Sequence, residues 1–371
     1  MKDFTCGFIG LGLIGGSIAK ALKKQNPKIR MLAFDIHEES LVLAQKEGII
    51  DICYSALTED AAKQLGGCDL LFLCAPVSKN EENLQLLKDH LKEDCILTDV
   101  GSVKSTIHQV IEREGLTSRF VGGHPMTGSE KTGYENANEL LFENAFYFLT
   151  PAKDADASKV ERMKELVTGI GAIPLVIDCK KHDYITAAVS HLPHVIAYSL
   201  VNLVRENDDD GMMKLIAAGG FKDITRIASS SPAMWQQICL TNTENIESLL
   251  RAYIEQLEQM CTYLEQKRKD ALFDAFQSAK DYRDSFITTS GSHANRLYEV
   301  YLDIPDKAGA IAMTATILAL NDISIKNIGI MHNREFQEGV LHIEFYDKAS
   351  ADAAVALLKR NNYTVYEKGT K

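Results

Sequence analysis

A single histidine stands between two glycines and a proline in the segment GGHPMTGSE, residues 122–130. The proline prevents a helix from running through this segment, and the apolar residues before it predict a strand that ends at His124. A neutral imidazole, with a reference pKa of about 6.5, can accept a proton near neutral pH. The segment therefore predicts a general base at a strand end, with a structural hydrogen-bonding histidine as the alternative.

A second polar group follows the apolar run CILTD. Asp99, Ser102 and Lys104 lie where that run ends, and ligands of open α/β sheets bind at the carboxyl ends of the strands. Ser102 is a candidate site residue at this edge. Its alternative role is to cap the helix predicted to begin near Lys104, and the two roles are compatible.

The segment HDYITAAVSHLPH places His182, Ser190, His191 and His194 within thirteen residues. Ser190 and His194 are four residues apart and share a helix face. Three close histidines raise the possibility of zinc binding. The H-x-x-H spacing lacks the i,i+4 histidine pair and neighbouring glutamate of a helical zinc site, so no metal is predicted.

The segment GGFKDITRIASSSPAMW contains Asp223 and Arg226 one turn apart, followed by Trp235, the only tryptophan. Such a pair most often forms a surface ion pair. An arginine after a Gly-Gly break can instead present its two-pronged guanidinium to a substrate carboxylate.

A nucleotide site is predicted where GFIGLGLIGGS follows the first apolar run. Gly10 suits a tight turn, Gly12 allows backbone to approach a pyrophosphate, and Gly15 allows helix and strand to pack closely. The phosphates would lie at the helix N-terminus that Leu13 and Ile14 open, where free N–H groups favour anions.

The second predicted strand, RMLAFD, ends in Asp35, 20 residues after Gly15. A carboxylate at this position binds both ribose hydroxyls and repels a 2′-phosphate. Ile36 and His37 follow it, with no arginine immediately after. NAD is therefore predicted rather than NADP, and a second domain that closes a cleft disfavours flavin.

These residues require three kinds of structure to position them. Residues 1–178 alternate apolar runs with helical patterns, which predicts a Rossmann-type α/β domain with a parallel sheet covered by helices. Residues 179–288 predict an all-α substrate and dimerisation domain, with Pro193 kinking a helix and residues 238–266 forming one long amphipathic helix. After a polar linker, residues 296–371 read β-α-β-β-α-β, a small α+β module.

Composition limits the function classes. A net charge of −11 and no basic cluster argue against nucleic acid and anionic membranes as partners. The eight cysteines contain no C-x-x-C pair, which favours reduced core thiols. No signal peptide is recognisable, and no apolar run reaches the roughly 18 residues of a membrane span. We expect a cytoplasmic protein.

Taken together and in order, GLGLIGGS, TDVGSVK, GGHPMTGSE, SHLPH and FKDITRIASSSPAMW resemble the prephenate dehydrogenase family of tyrosine biosynthesis. The resemblance covers residues 4–290 and implies NAD-dependent oxidative decarboxylation of prephenate to 4-hydroxyphenylpyruvate. It implies the following roles: His124 as base with Ser102 as hydrogen-bonding partner, Arg226 on a substrate carboxylate, Ser190 and His194 as substrate contacts, and Asp223 and Trp235 near the pocket entrance.

The C-terminal module resembles an ACT domain, which implies pairing of domains and feedback inhibition by L-tyrosine. The implied effector residues are Asp306, Ala308, Gly309, Ala310 and Ile311 in one loop, together with Asn327. The alternative is a dimerisation module without a ligand.

Three other functions are alternatives to the one implied by this resemblance. Arogenate dehydrogenase differs in accepting a substrate with an ammonium in place of a keto group. A β-hydroxyacid dehydrogenase would carry a catalytic lysine on the first interdomain helix, whereas AAVSHLPHVIAYSLVN has none. A non-catalytic amino-acid sensor would need neither His124 nor Arg226.

Overall fold

The computed structural model describes residues 4–128, 131–289, 298–305, 307–331 and 339–367. The chain forms two compact units, Met1–Leu257 and Glu258–Lys371. Two residues of the GGHPMTGSE segment, Ser129 and Glu130, and the candidate effector residue Asp306 lie outside the described residues. The domain boundaries at residues 178 and 296 remain predictions.

The first five strands form a parallel sheet in the order β3-β2-β1-β4-β5. Alternate residues of its central strands enter two apolar cores on opposite faces, as expected for a sheet covered on both sides. The strands are β1 (Thr5–Ile9), β2 (Arg30–Phe34), β3 (Ile52–Tyr54), β4 (Leu70–Leu73) and β5 (Ile96–Asp99). The connecting helices are α1 (Leu13–Gln25), α2 (Glu38–Lys46), α3 (Glu59–Gly66), α4 (Val77–Leu87) and α5 (Ser105–Arg113).

A three-stranded sheet follows, of β6 (Val121–Pro125), β7 (Phe146–Pro151) and β8 (Ile173–Val176), with α6 (Ala157–Gly169) between β7 and β8. β6 runs antiparallel to β7, and β7 is parallel to β8. An isolated parallel bridge between Leu97 and Phe120 joins the two sheets. The Rossmann-type prediction with a parallel sheet is confirmed by β1 to β5. β6 departs from the expected parallel order, because the long β6–β7 connection reverses the chain direction.

The next segment is helical. Its elements are α7 (Cys179–Thr186), a π-helical turn (Ala187–His191), α8 (Leu192–Glu206), α9 (Met212–Ile216), α10 (Gly219–Thr225), a 3₁₀ turn (Arg226–Ser229), α11 (Pro232–Thr241), α12 (Thr243–Glu265) and α13 (Lys269–Thr289). The predicted irregularity at Pro193 takes the form of the π turn just before it. A proline has no N–H to donate, and π turns of this kind occur frequently at functional sites.

Residues 238–266 do not form one helix, as the sequence had suggested. The helix breaks at Asn242, between α11 and α12. Asn242 is 4% exposed, and its side-chain amide donates to the carbonyl oxygen of Asp183 at 2.8 Å. A buried polar contact of this kind outweighs the intrinsic helical preference of the surrounding residues.

One described helical stretch, Cys179–Glu206, is long and apolar enough to span a membrane on length and composition alone. Its most apolar window has a mean hydropathy of 1.3 and is 17% buried. This corrects the expectation that no segment reaches that length. The same stretch carries His182 and Asp183, which are both buried against other parts of the first unit.

The C-terminal part has the predicted β-α-β-β-α-β order. Its elements are β9 (Tyr298–Ile304), α14 (Ala310–Ala319), β10 (Ile325–Met331), β11 (Gly339–Phe345), α15 (Lys348–Arg360) and β12 (Val365–Glu367). The strands form an antiparallel sheet in the order β10-β11-β9-β12, and one face of this sheet packs on the two helices. The predicted small α+β fold is confirmed.

Candidate active site

The glycine-rich turn between β1 and α1 uses each of its three glycines differently. Gly10 has φ +98°, and a Cβ there would lie 2.7 Å from the backbone nitrogen of Ala75. A Cβ on Gly15 would lie 2.6 Å from the carbonyl oxygen of Gly10, so only glycine allows α1 to pack this closely against the end of β1. A Cβ on Gly12 would meet nothing within 4 Å. Gly12 is therefore not required by the packing of the chain itself, which fits a role in ligand approach.

Asp35 lies at the end of β2 with its side chain turned toward this turn. One carboxylate oxygen accepts the Leu11 N–H at 2.6 Å and the other accepts the His37 N–H at 2.8 Å. The residue is 8% exposed, whereas its neighbour Ile36 is 74% exposed. The acid is thus fixed beside the open N-terminus of α1, where Leu13 and Ile14 are half-buried. This arrangement fits a dinucleotide with a free ribose 2′-hydroxyl.

The carboxyl ends of β5 and β6 are held together by a buried ion pair. Lys104 is fully buried, and its ammonium contacts the Asp99 carboxylate and donates to the Gly123 carbonyl oxygen at 2.6 Å. Asp99 in turn accepts the Gly123 N–H at 3.2 Å. Burial lowers the pKa of Lys104, against the opposite effect of Asp99. The two predicted strand ends therefore meet at one edge, and this pair fixes the residue that precedes His124.

His124 belongs to a chain of hydrogen bonds that begins on the helical segment. Its Nδ1 lies 2.9 Å from Nε2 of His182, and His182 Nδ1 lies 2.8 Å from the Asp183 carboxylate. His182 and Asp183 are 0% and 1% exposed. Asp183 also accepts the backbone N–H groups of Lys104 at 2.7 Å and Ser105 at 2.8 Å. The carboxylate thus links the N-terminus of α5 to the candidate base.

The direction of each hydrogen bond from Asp183 to His124 follows from the protonation state of Asp183. Burial raises the pKa of Asp183, but hydrogen bonds from His182 and Ser105 outweigh it and leave the pKa lowered, so the carboxylate only accepts. His182 must therefore donate through Nδ1, and its Nε2 accepts from His124 Nδ1. This leaves the lone pair of His124 on Nε2, which forms no hydrogen bond within the described part of the chain.

Burial also sets the protonation state of His124. It lowers the pKa of His124 well below the usual 6.5, and the nearby His182, Lys104 and His191 lower it further. A group with such a pKa is neutral at physiological pH and able to accept a proton.

Ser102 lies half-buried in the turn between β5 and α5. It does not cap α5: the N-cap position is Lys104, whose side chain makes no capping hydrogen bond, and Asp183 satisfies the free amides instead. Ser102 forms no hydrogen bond with His124 in the described structure, where His182 is the recorded partner. Its role at the site remains a prediction.

The π turn and α8 bring a second group of predicted residues together. His194 stacks on Trp235, with ring centroids 3.6 Å apart, and its Nδ1 donates to the Ser190 carbonyl oxygen at 2.9 Å. Burial lowers the pKa of His194, the Ser190 bond opposes this, and the charge of Arg226 lowers it again. Arg226 lies on the 3₁₀ turn that contacts α8, and it is exposed. Asp223 is also exposed.

Trp235 is buried, with an exposure of 8%, and its place near a pocket entrance remains a prediction. Its indole Nε1 is inaccessible and has no hydrogen-bond partner within the described residues. A buried indole N–H usually has an acceptor, so this unpartnered one is unusual for a buried tryptophan.

Sequence reasoning gave no role to Asp183 or Asn242, and it treated His182 and His191 only as possible metal ligands. His191 is buried, and its Nδ1 lies 3.2 Å from the Asn242 amide. The adjacent His182 and Asp183 in HDY could have indicated a buried pair. Their partners, His124 and Lys104, are 58 and 79 residues away in sequence, so no local pattern points to them.

Comparison with known proteins agrees with this geometry. Residues 18–175 match the family described as prephenate dehydrogenase, nucleotide-binding domain, and residues 178–278 match its dimerization domain. The chain is 40% identical over 349 residues to the prephenate dehydrogenase of Bacillus subtilis, covering 93% of this chain and 92% of that protein. It is 34% identical over 366 residues to that of Lactococcus lactis, covering 96% and 98%.

Two solved structures are also similar. A prephenate dehydrogenase from Aquifex aeolicus, in complex with hydroxyphenyl propionate and NAD+, superimposes with a TM-score of 0.72 at 31% identity, covering 77% of this chain and 99% of that one. The arogenate dehydrogenase of Synechocystis gives a TM-score of 0.68 at 26% identity, covering 76% and 100%. On the family matches and the identities to curated relatives, this chain belongs to the prephenate dehydrogenase family.

Proposed function

We propose that the protein catalyses the NAD-dependent oxidative decarboxylation of prephenate to 4-hydroxyphenylpyruvate, a step of L-tyrosine biosynthesis. Family membership supports the reaction. The observation that carries its mechanism is the hydrogen-bonded chain from Asp183 through His182 to His124, because it leaves a proton acceptor at the edge of the sheet beside the nucleotide site.

The residues of the glycine-rich turn suit NAD. Gly12 has open space where a Cβ would stand, and Asp35 is held beside the turn with no cationic side chain directly after it. Gly10 and Gly15 shape the turn, and the N–H groups at Leu13 and Ile14 would face the phosphates. When bound, NAD accepts the hydride that leaves C4 of the substrate ring.

His124 removes the C4 hydroxyl proton through Nε2 as the hydride departs, and general base assistance of this kind contributes about 10²–10⁴-fold. The imidazolium that forms is stabilised through His182 by the Asp183 carboxylate. Loss of carbon dioxide makes the ring aromatic and returns an electron pair to the oxygen. The overall reaction releases no proton, so His124 gives its proton back to that oxygen.

The substrate is a dianion, so the pocket needs fixed donors. Arg226 supplies a guanidinium from the 3₁₀ turn that contacts α8, the helix on which His194 stacks against Trp235. We assign a substrate carboxylate to Arg226, with Ser190, His194 and Trp235 positioning the substrate beside it. Ser102 is assigned to the C4 hydroxyl, and Asp223 to the exposed side of Arg226.

Absorbance of NADH, followed with prephenate and NAD as the only added reactants, tests the proposal. The wild-type protein should form NADH, and His124→Asn should lower kcat by about 10²–10⁴-fold. His90→Asn, on a turn outside the site, is the matched control and should behave as wild type. A wild-type protein that forms no NADH from prephenate would overturn the proposal.

Arogenate is the second candidate substrate, and one contact favours it. His194 donates through Nδ1 to Ser190, so its neutral ring offers only an acceptor at Nε2. An ammonium can donate to that nitrogen, whereas a keto group cannot. The ratio of kcat/KM for the two substrates decides between them, and a ratio that favours arogenate more than tenfold would reassign the substrate.

We also propose a homodimer, formed through the helical segment that matches a dimerization domain. The described helices expose several large apolar side chains that a partner would cover, among them Leu203, Leu215, Ile216, Leu240, Phe273 and Phe276. A cytoplasmic location is part of this proposal. Light scattering should give a mass near twice the 41.1 kDa of one chain.

Feedback inhibition by L-tyrosine through an ACT-like C-terminal domain is a further part of the proposal. Gly309 has φ +89° and precedes α14, so the amides of Ala308, Ala310 and Ile311 lie around the start of that helix. Asn327 is exposed on the neighbouring β10. Asn327→Ala should reduce inhibition by tyrosine and leave uninhibited turnover unchanged. Equal inhibition of both proteins would argue against this site.

A further inference from the structure

The sheet of the C-terminal domain has one face that does not pack on α14 and α15. In β9 and β11, every second residue is buried in the apolar core, so the residues between them point to the opposite face. Three of these are potential metal ligands. They are Glu299 on β9 and His342 and Glu344 on β11.

The strand register places the two glutamates directly opposite each other. Glu344 pairs with Glu299, and His342 pairs with Tyr301. Two carboxylates in this relation repel each other and destabilise the sheet. The side chain of Glu299 is only 7% exposed, so water screens its charge poorly. A cation between the strands would remove this repulsion.

His342 provides a separate reason to expect a ligand. Its Nε2 is inaccessible to solvent and has no hydrogen-bond partner within the described residues. The nearest carboxylate oxygen is Oε1 of Glu299, at 3.9 Å, which is too far for a hydrogen bond. Tyr301 stacks on the imidazole with centroids 4.7 Å apart and fixes the plane of the ring. The nitrogen therefore points toward the carboxylates without bonding to them.

Neighbouring side chains already orient both carboxylates. The Tyr301 hydroxyl donates to Oε2 of Glu299 at 2.9 Å, and the Asn327 amide donates to Oε1 of Glu344 at 3.4 Å. Metal sites commonly hold their carboxylate ligands in this way, through hydrogen bonds from neighbouring side chains.

We propose that Glu299, His342 and Glu344 bind a divalent transition-metal cation of the Zn²⁺ class. One ligand atom from each residue lies within 4.8 Å of the others. Bonds of about 2.1 Å bring ligand atoms to within roughly 4 Å of each other, so side-chain movements of about one ångström close the site. The imidazole selects against Mg²⁺ and Ca²⁺, which prefer oxygen ligands alone. Sequence reasoning predicted no metal and considered only the histidines between residues 182 and 194.

Isothermal titration of the full-length protein with ZnSO₄, after treatment with EDTA and its removal, tests the site. The wild type should bind one more Zn²⁺ per chain than His342→Ala or Glu344→Gln. Tyr301→Phe should keep the site with affinity lowered by about 10–100-fold, because it loses only an orienting hydrogen bond. MgSO₄ should give no corresponding binding.

Asp303→Asn is the matched control, since Asp303 is a carboxylate on the same face of β9 that hydrogen-bonds to Tyr366 instead. It should bind Zn²⁺ as the wild type does. Equal Zn²⁺ stoichiometry in wild type, His342→Ala and Glu344→Gln would overturn the proposal. If those two variants lose the circular dichroism of the folded protein, cobalt decides: Co²⁺ added to the wild type must shift the NMR signals of the His342 ring, and unshifted signals overturn the proposal equally.

Discussion

Replacing Asp183 with asparagine tests the hydrogen-bonded chain more sharply than replacing the base itself. The carboxylate accepts hydrogen bonds from the amides of Lys104 and Ser105 and from His182 Nδ1, at 2.7, 2.8 and 2.8 Å. An asparagine keeps one acceptor oxygen and places an NH₂ group where the other oxygen stood. At least one of these donors then faces another donor.

The consequence depends on which way the amide points. If its NH₂ faces His182, that ring must accept through Nδ1 and donate through Nε2, and His124 Nδ1 must then accept. The proton of His124 moves to Nε2, which removes the base. If the NH₂ faces Ser105, the start of α5 loses a capping acceptor worth about 0.5–2 kcal/mol, and the imidazolium loses its counter-charge in both orientations.

We therefore expect kcat to fall by about 10²–10⁴-fold, the full contribution of a general base. The same change in the triad of serine proteases, where an aspartate also fixes a histidine tautomer, costs about 10⁴-fold. The affinity for NAD should stay within about twofold of wild type, because the glycine-rich turn is not touched.

The assay is NADH absorbance at saturating prephenate, with NAD affinity from titration calorimetry and folding from circular dichroism. Asp178→Asn is the matched control: Asp178 is an exposed acid on the same helix, whose side chain caps α7 by accepting from Lys181 N–H at 2.9 Å. It should leave both folding and kcat near wild type, because asparagine caps a helix about as well as aspartate. A folded Asp183→Asn protein that binds NAD and keeps kcat within about threefold of wild type would refute the role assigned to this carboxylate.

Further predictions concern pH, the turn and the cofactor. Because burial lowers the pKa of His124 well below 6.5, kcat/KM should stay level as pH falls to about 6.5 and decline only at lower pH, and a decline centred above 7 would contradict this. Burial lowers the pKa of His191 from 6.5 to about 4 in the folded protein, so its contribution to the free energy of unfolding is fully present above pH 6.5 and is lost as pH falls to 4. Urea unfolding at each pH should show a decrease of about 3 kcal/mol over this range. A free energy of unfolding that is unchanged at pH 5 would count against this. Gly12→Ala should raise the KM for NAD and leave the melting temperature unchanged. Gly15→Ala should lower the melting temperature by several degrees, because its Cβ would collide with the Gly10 carbonyl oxygen. Equal melting temperatures for the two variants would show that Gly15 is not packed as described. Asp35→Ser should reduce the preference for NAD over NADP on the order of a hundredfold in kcat/KM, and an unchanged ratio would remove Asp35 from cofactor selection.

Local patterns were sufficient to predict the nucleotide half of the fold. The glycine turn, the strand before it and the acid that follows β2 lie within about 30 residues of each other. In that turn, Gly10 has φ +98°, which favours glycine. The order of elements in the C-terminal domain was equally readable, because alternation of apolar residues in β9 and β11 has the period of a strand.

The support of the candidate base could not be read from sequence. His124 and His182 are 58 residues apart, and Asp183 and Lys104 are 79 apart, so nothing local indicates that they touch. The break at Asn242 was missed for the same reason, since its partner is the carbonyl of Asp183, which periodicity does not reveal. The direction of β6 depends on the course of the long loop that follows it, and no residue pattern specifies that course.

The carboxylate of Asp183 has one consequence for protein engineering. It hydrogen-bonds to the amides of residues 104 and 105, which lie 79 and 78 positions earlier in the sequence. A chimaera of two related enzymes can therefore take the acid from one parent and the two amides from the other. A crossover between residues 105 and 183 yields an active hybrid only when the parent that supplies position 183 has an acid there. Recombination libraries built at this junction should therefore show activity in proportion to how often that acid is retained.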